Sequence, residues 1–201
     1  MIRTIALLGV VLSSASAFAS SVVCNTNSIT IPDSGTASLY PSSVTVSGAP
    51  SFVRNVVVII NGFSHTRADD VGIVLQGPTG VALLLQDGAG GSPDWINAVY
   101  SISDFSGSLL PVEDAVVSGV FRATAYFVGD PFPAPGPVLD YGNPGPANGA
   151  TATLASTFNG SASNGTWKLF VVDFVAGESG SISNGWCIAI NDVVFANAFG
   201  F

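Results

Sequence analysis

Any chemistry in this 201-residue sequence has to be built on one histidine, two cysteines and thirteen carboxylates, with only five Lys and Arg to balance them. The segment Ser64-His65-Thr66-Arg67-Ala68-Asp69-Asp70 holds all three residue types of a Ser-His-Asp hydrolase. Triad members, however, meet in space from separate elements beside a preorganised oxyanion hole, and no G-x-S-x-G elbow occurs in the chain. His65 therefore reads as a strand-end histidine bonded to a loop, and no catalytic residue is assigned. A zinc site fails for want of ligands once Cys24 and Cys187 pair. If a metal is held it is calcium, which takes six to eight hard oxygens. Asp69 and Asp70 on one loop, Asp87 on another and the carbonyls of the Gly-rich turn 87–91 are the candidate ligands. The competing reading is that each Asp caps its own turn.

These side chains must be held by strands. Glu occurs twice and Lys once, so exposed helix faces have little to be built from, whereas 25 valines suit a pleated, half-buried surface. With 23 glycines and 12 prolines as punctuation, short strands are expected at 28–31, 43–47, 52–60, 71–76, 81–86, 95–101, 117–124, 166–173 and 185–190. Gly77-Pro78-Thr79-Gly80 between two apolar runs predicts a hairpin on a type I turn. The run 129–150, with Pro131, Pro133, Pro135, Pro137, Pro144 and Pro146, cannot form a central strand and should be one long surface connection. The expectation is an all-β chain folded as one sandwich.

The N-terminus carries a basic start at Arg3, an apolar run over 4–12 and Ala17-Phe18-Ala19, the three parts of a secretory signal peptide with cleavage after residue 19. Export makes a disulfide between Cys24 and Cys187 the expected state of the two cysteines. A bridge between positions so far apart would favour folding by about 5 kcal/mol through loop entropy and would make the first and last strands neighbours. The remaining apolar runs fall well short of the ~20 residues of a spanning helix, so no membrane span is expected. A net charge of −8 offers no cationic surface for phosphate, which excludes nucleic acid as a partner.

Three stretches of residues carry a family resemblance. They are Asn61-Gly62-Phe63-Ser64-His65-Thr66 with Asp69-Asp70 and Leu75-Gln76-Gly77-Pro78-Thr79-Gly80; Gly119-Val120-Phe121-Arg122-Ala123-Thr124 ahead of Gly129-Asp130-Pro131; and Asn164-Gly165-Thr166-Trp167-Lys168-Leu169-Phe170-Val171-Val172-Asp173 ahead of Gly185-Trp186. In this order, over about 28–190, the sequence resembles the P domain (P/Homo B domain) that follows the catalytic domain of subtilisin-like proprotein convertases. The resemblance implies a jelly-roll β-sandwich of galactose-binding-like shape whose role is to support folding and stability of a protease. Two positions depart from the family pattern: Gly72 stands where another acidic residue is common, and Phe174 where a second Asp is frequent.

The expected layout is a signal peptide at 1–19, a short segment at 20–27, the sandwich at 28–190 and a tail at 191–201. In the tail, alternating Val193, Phe195, Phe199 and Phe201 suit one more strand or a sorting or partner-binding signal. No protease domain is expected here, so the functional expectation is a secreted, periplasmic or extracellular non-enzymatic module that binds or stabilises a protein partner. Two alternatives stand beside it: an accessory role in proteolysis with a separately encoded protease, and a carbohydrate-binding jelly roll. For the latter, Trp95, Trp167, Trp186, Tyr100 and Tyr126 would stack on sugars, unless their rings are core.

Overall fold

The computed structural model describes residues 21–191. The expected signal peptide and tail residues 192–201 lie outside the described residues. In chain order the strands are β1 Ser21–Asn25, β2 Ile29–Ile31, β3 Gly35–Thr36, β4 Ser42–Val46, β5 Val56–His65, β6 Val71–Gln76 and β7 Ala82–Asp87. They continue with β8 Trp95–Ser103, β9 Ser118–Phe121, β10 Thr124–Ala125, β11 Gly165–Asp173, β12 Gly180–Ile182 and β13 Trp186–Ile190. One five-residue helix, α1 Leu154–Phe158, precedes β11.

The strands make two sheets, a β-sandwich. In the first, β5 is central: β8 and then β9 flank one edge, while β13 and β12 share the other, leading to β1 and β2 respectively. The second runs β10-β7-β6-β11-β3, with β4 also paired to β11. Residues 71–76 form the first strand of the expected hairpin, closed by Gly80 N–H donating to Gly77 O at 3.0 Å. Strand β5 departs from expectation: it begins at Val56, leaves Phe52 exposed, and runs on through the Asn61–His65 motif across two register shifts. The segment expected ahead of the sandwich, 20–27, contributes β1, which pairs along its whole length with β13.

Side-chain alternation places Val58, Ile60, Ile188, Tyr100, Ile73, Leu75, Leu83 and Leu169 in one core between the sheets. The second sheet is covered on its other face as well. Val74, Leu84, Phe170 and Val172 pack there beneath Phe132 and Tyr141 of the 129–150 connection. Burial on both faces explains why β6, β7 and β11 read as continuous apolar runs instead of alternating ones. The connection is fastened to the sheet edge: Leu84 N–H donates to Gly142 O at 3.0 Å and Gly142 N–H to Ala82 O at 2.9 Å. It is thus a cover over a second apolar cluster.

Candidate functional site

His65 ends β5 and Asp173 ends β11, so adjacent strand ends of the two sheets bring them together from 108 residues apart. The His65 Nε2 lies 3.1 Å from Asp173 Oδ2, with both side chains shut off from solvent. Nδ1 lies 2.7 Å from Arg67 O and accepts from Arg67 N at 3.2 Å when unprotonated. Burial raises the Asp173 carboxyl above the usual range, opposed by Val175 N–H, which donates to Oδ1 at 3.0 Å, and by His65 itself. β12 must pass close by: a side chain at Gly180 would run into Ser64 O and the imidazole Cδ2. Only glycine fits there.

This arrangement decides what His65 can do. A general base needs one ring nitrogen free to take a proton from a nucleophile, and here both nitrogens are engaged and neither is accessible. Ser64, one residue earlier on the strand, faces the other way, with its Oγ accepting from Asn97 N at 2.8 Å. The sequence pointed to a histidine bonded to a loop, and Arg67 is that loop. Asp173 is the partner that sequence spacing could not supply.

Beside this pair, the 3-10 turn Ala68–Asp70 presents Asp69 and Asp70 to the Arg67 side chain, with Nε 3.6 Å and 3.9 Å from their Oδ1 atoms. Asp70 is nearly buried and its Oδ2 has no hydrogen-bond partner. Desolvation, then repulsion from Asp69 and Asp173, pushes its pKa up to about 6 against the pull of Arg67.

The Asp87 side chain has other surroundings. Asp87 ends β7 beneath the 129–150 cover, 1% exposed, and its charged neighbour is Asp130, not Asp69 or Asp70. Burial and then Asp130 push its pKa up to about 7, against a hydrogen bond from Gly88 N–H, and its Oδ2 has no partner. Of the three expected calcium ligands, Asp69 and Asp70 thus share one turn, while Asp87 has Asp130 as its charged neighbour. Among the described residues, no three His, Cys, Asp or Glu side chains stand where they could hold a metal ion. The two loops do approach, since a Cβ at Gly90 would stand 2.8 Å from Ala68 Cβ, but the Asp87 side chain has Asp130 as its charged neighbour, a fact invisible in residue spacing.

The aromatic residues nominated for sugar stacking are also placed differently. Trp95, Trp167, Trp186 and Tyr100 are at most 1% exposed. Trp186 Nε1 donates to Ser42 Oγ at 3.0 Å, Trp167 Nε1 to Ser163 O at 2.9 Å, and the rings of Trp95, Tyr100 and Phe63 pack edge to face. Tyr126 packs against the same core and donates to Leu110 O at 2.8 Å. Sugar stacking requires an open ring face, so these residues give the carbohydrate reading no platform. Large aromatics in a sandwich interior carry more burial energy than any alternative filling.

What the surface does offer is apolar. Ile96 and Val117 are 73% and 76% exposed and Val99 is 44% exposed. Val99 N–H donates to Val117 O at 2.9 Å, so Val99 and Val117 are neighbours where β8 meets the start of β9, and Ile96 lies three residues earlier on β8. Neither strand holds a charged residue. Finally, Cys24 and Cys187 face each other across β1 and β13 and form a disulfide, with Cα atoms 4.0 Å apart.

No family model matches the chain, and no curated protein matches it. Among solved structures, it is similar to part of a serine protease of Aeromonas sobria crystallised with its chaperone. That match has 16% identity and a TM-score of 0.41, over 86% of this chain and 26% of the other. The same protease crystallised by itself gives 16% identity and a TM-score of 0.38, with the same coverage. The chain thus spans about a quarter of the length of those structures. A likeness at this level carries no inference about activity. Among the described residues no helix is long and apolar enough to cross a membrane.

Proposed function

We propose that this chain is an exported, non-catalytic, P-domain-like β-sandwich module that binds or stabilises a partner protein through the outer face of β8 and β9. The observation that carries the reading is the exposure of three large apolar side chains on and beside β8, Ile96, Val99 and Val117, with Val99 hydrogen-bonded to Val117. Contiguous exposed apolar surface on a β-sheet is costly in water and is a feature of protein-binding faces. The sequence resemblance to P domains supports the same reading, since such modules act by contact with a protease. Export is supported by the signal-like N-terminus and by a disulfide of the kind that persists in oxidising compartments. His65 supports the non-catalytic part, because its ring is committed on one side to Asp173 at the end of β11 and on the other to the Arg67 backbone.

The test compares the exported protein with an Ile96→Asp/Val117→Asp variant. Partners are cross-linked in the exporting cell, identified, purified and titrated against each form. A partner that binds the native protein and loses at least tenfold in affinity for the variant supports the reading. Equal affinity for both forms overturns it. A subtilisin-like protease as that partner would identify the accessory role in proteolysis.

A further inference from the structure

Strands β8 and β9 pair in parallel, so the residues that lead into each come to the same end of the sheet. Asp94 stands immediately before β8, and Glu113 and Asp114 stand shortly before β9. The two leading loops are tied together: Gly90 N–H donates to Pro111 O at 2.8 Å, and a Cβ at Gly91 would stand 2.9 Å from Glu113 Cα. All three acidic residues are exposed, and among the described residues none of them is in an ion pair. The exposed apolar side chains lie at this same end. Trp95, Ala98 and Tyr100 belong to the core, and Ile96 and Val99 between them are open to solvent. Asn97 makes that three-residue spacing possible by bulging β8, with φ +50° and its N–H donated to Ser64 Oγ at 2.8 Å.

We propose that the partner held on this face presents basic residues beside an apolar contact, seated against Asp94, Glu113 and Asp114. The inference rests on the reading of Ile96, Val99 and Val117 as the partner contact and adds the chemistry of what they receive. An apolar centre with a charged rim is the anatomy of a protein interface, and rim charges of one sign select partners of the other sign and speed their encounter. The chain offers these carboxylates little internal compensation. Arg67 is already met by Asp69 and Asp70 at 3.6 Å and 3.9 Å. At the opposite end of the two strands, the Asp104 carboxylate accepts from Leu154 N and Ala155 N at 3.2 Å and 2.6 Å, which leaves the exposed Arg122 as the charge there. The face is thus acidic where β8 and β9 begin and basic where β9 ends, so it also sets the direction in which a partner docks. A net charge of −8 opposes a second copy of the same chain as that partner.

The experiment titrates the full exported chain with two fluorescent synthetic peptides that share the same alternating valines, one with lysines and the other with glutamates between them. The lysine peptide should bind at least tenfold more tightly, and less so as salt is raised. Asp94→Asn/Glu113→Gln/Asp114→Asn should lose at least fivefold in affinity for it and most of the salt dependence, with the strand signal in circular dichroism retained. Ile96→Ser/Val117→Ser should weaken the same peptide, which places it on this face. Removing three charges elsewhere, in Asp33→Asn/Asp140→Asn/Glu178→Gln, should leave the affinity unchanged. An equal loss in that control overturns the inference, because net charge alone would then attract the peptide. Equal binding of the two peptides, or binding of neither, overturns it too, as does a native dimer that dissociates on Ile96→Ser/Val117→Ser. None of these results touches the partner-binding reading, which is judged by the cross-linked partner's affinity for Ile96→Asp/Val117→Asp. A partner that passes that test with an acidic contact surface overturns this inference alone.

Discussion

Phe174 lays its ring over the bare backbone of Gly72. A Cβ at position 72 would stand 2.5 Å from the ring's Cε2 and 3.0 Å from Cζ of Phe132. The two positions that depart from the P-domain pattern are thus one local feature: an apolar ring occupies the space beside a missing side chain. Gly72 pairs with Val172 on β11, and the Phe174 and Phe132 rings meet edge to face at 5.5 Å. Where the pattern has carboxylates, this chain extends its second apolar cluster.

Gly72→Ala should therefore destabilise the protein by about 1 to 3 kcal/mol through overpacking. In a Phe174→Ala background the added methyl has room, so the cost should fall by at least ~1 kcal/mol, the size of coupling seen between residues in contact. Urea denaturation of the four proteins in this cycle measures it. Strict additivity would show that the ring does not occupy the Gly72 site.

Removing the disulfide with Cys24→Ser/Cys187→Ser should lower stability by about 2 to 5 kcal/mol. Strand content should stay unchanged, since β1 is held to β13 by its own ladder. Thiol labelling of the denatured, unreduced native protein should find no free thiol; two free thiols would refute the bridge.

Breaking the His65–Asp173 pair should cost far more than an exposed ion pair would. Either His65→Ala or Asp173→Asn leaves a buried polar partner uncompensated, for which about 3 to 5 kcal/mol is expected. No peptidase activity should accompany the native protein, because both ring nitrogens are engaged. Cleavage of casein by a clean preparation, abolished in His65→Ala, would overturn the non-catalytic assignment.

Asp87 should make the protein more stable in mild acid than at neutral pH. Its folded pKa of about 7 lies above the ordinary aspartate value of 3.8, so between these values the native state binds more protons than the unfolded chain. Stability therefore falls as pH rises from about 4 to about 7 and levels off above. Asp70, pushed up to about 6, acts in the same direction over the lower part of that window. Asp87→Asn keeps the acceptor for Gly88 N–H and removes the charge, so it should raise stability above pH 7 by about 2 to 4 kcal/mol. Thermal melts of both proteins from pH 4 to 8 should show most of the slope lost in the variant. A native protein whose melting temperature is flat across this range would show that Asp87 is not held protonated.

Where local pattern suffices, the amino-acid sequence by itself determined the outcome. Val-rich runs broken by Gly and Pro specified strands, and Gly77–Gly80 specified its hairpin, because turn chemistry and β-propensity act over a few residues. Two cysteines in a chain with a signal-like N-terminal sequence specified the bridge and with it the pairing of β1 with β13. The tertiary structure alone decided which carboxylates share a neighbourhood. Asp87 is only 17 residues beyond Asp70 but faces Asp130, whereas Asp173 is 108 residues beyond His65 and touches it. It also decided that Trp95 and Trp186 are core and that the 129–150 run covers a second apolar cluster. Sheet faces and strand ends, not chain distance, set which side chains meet, and a one-residue change of register reverses the face.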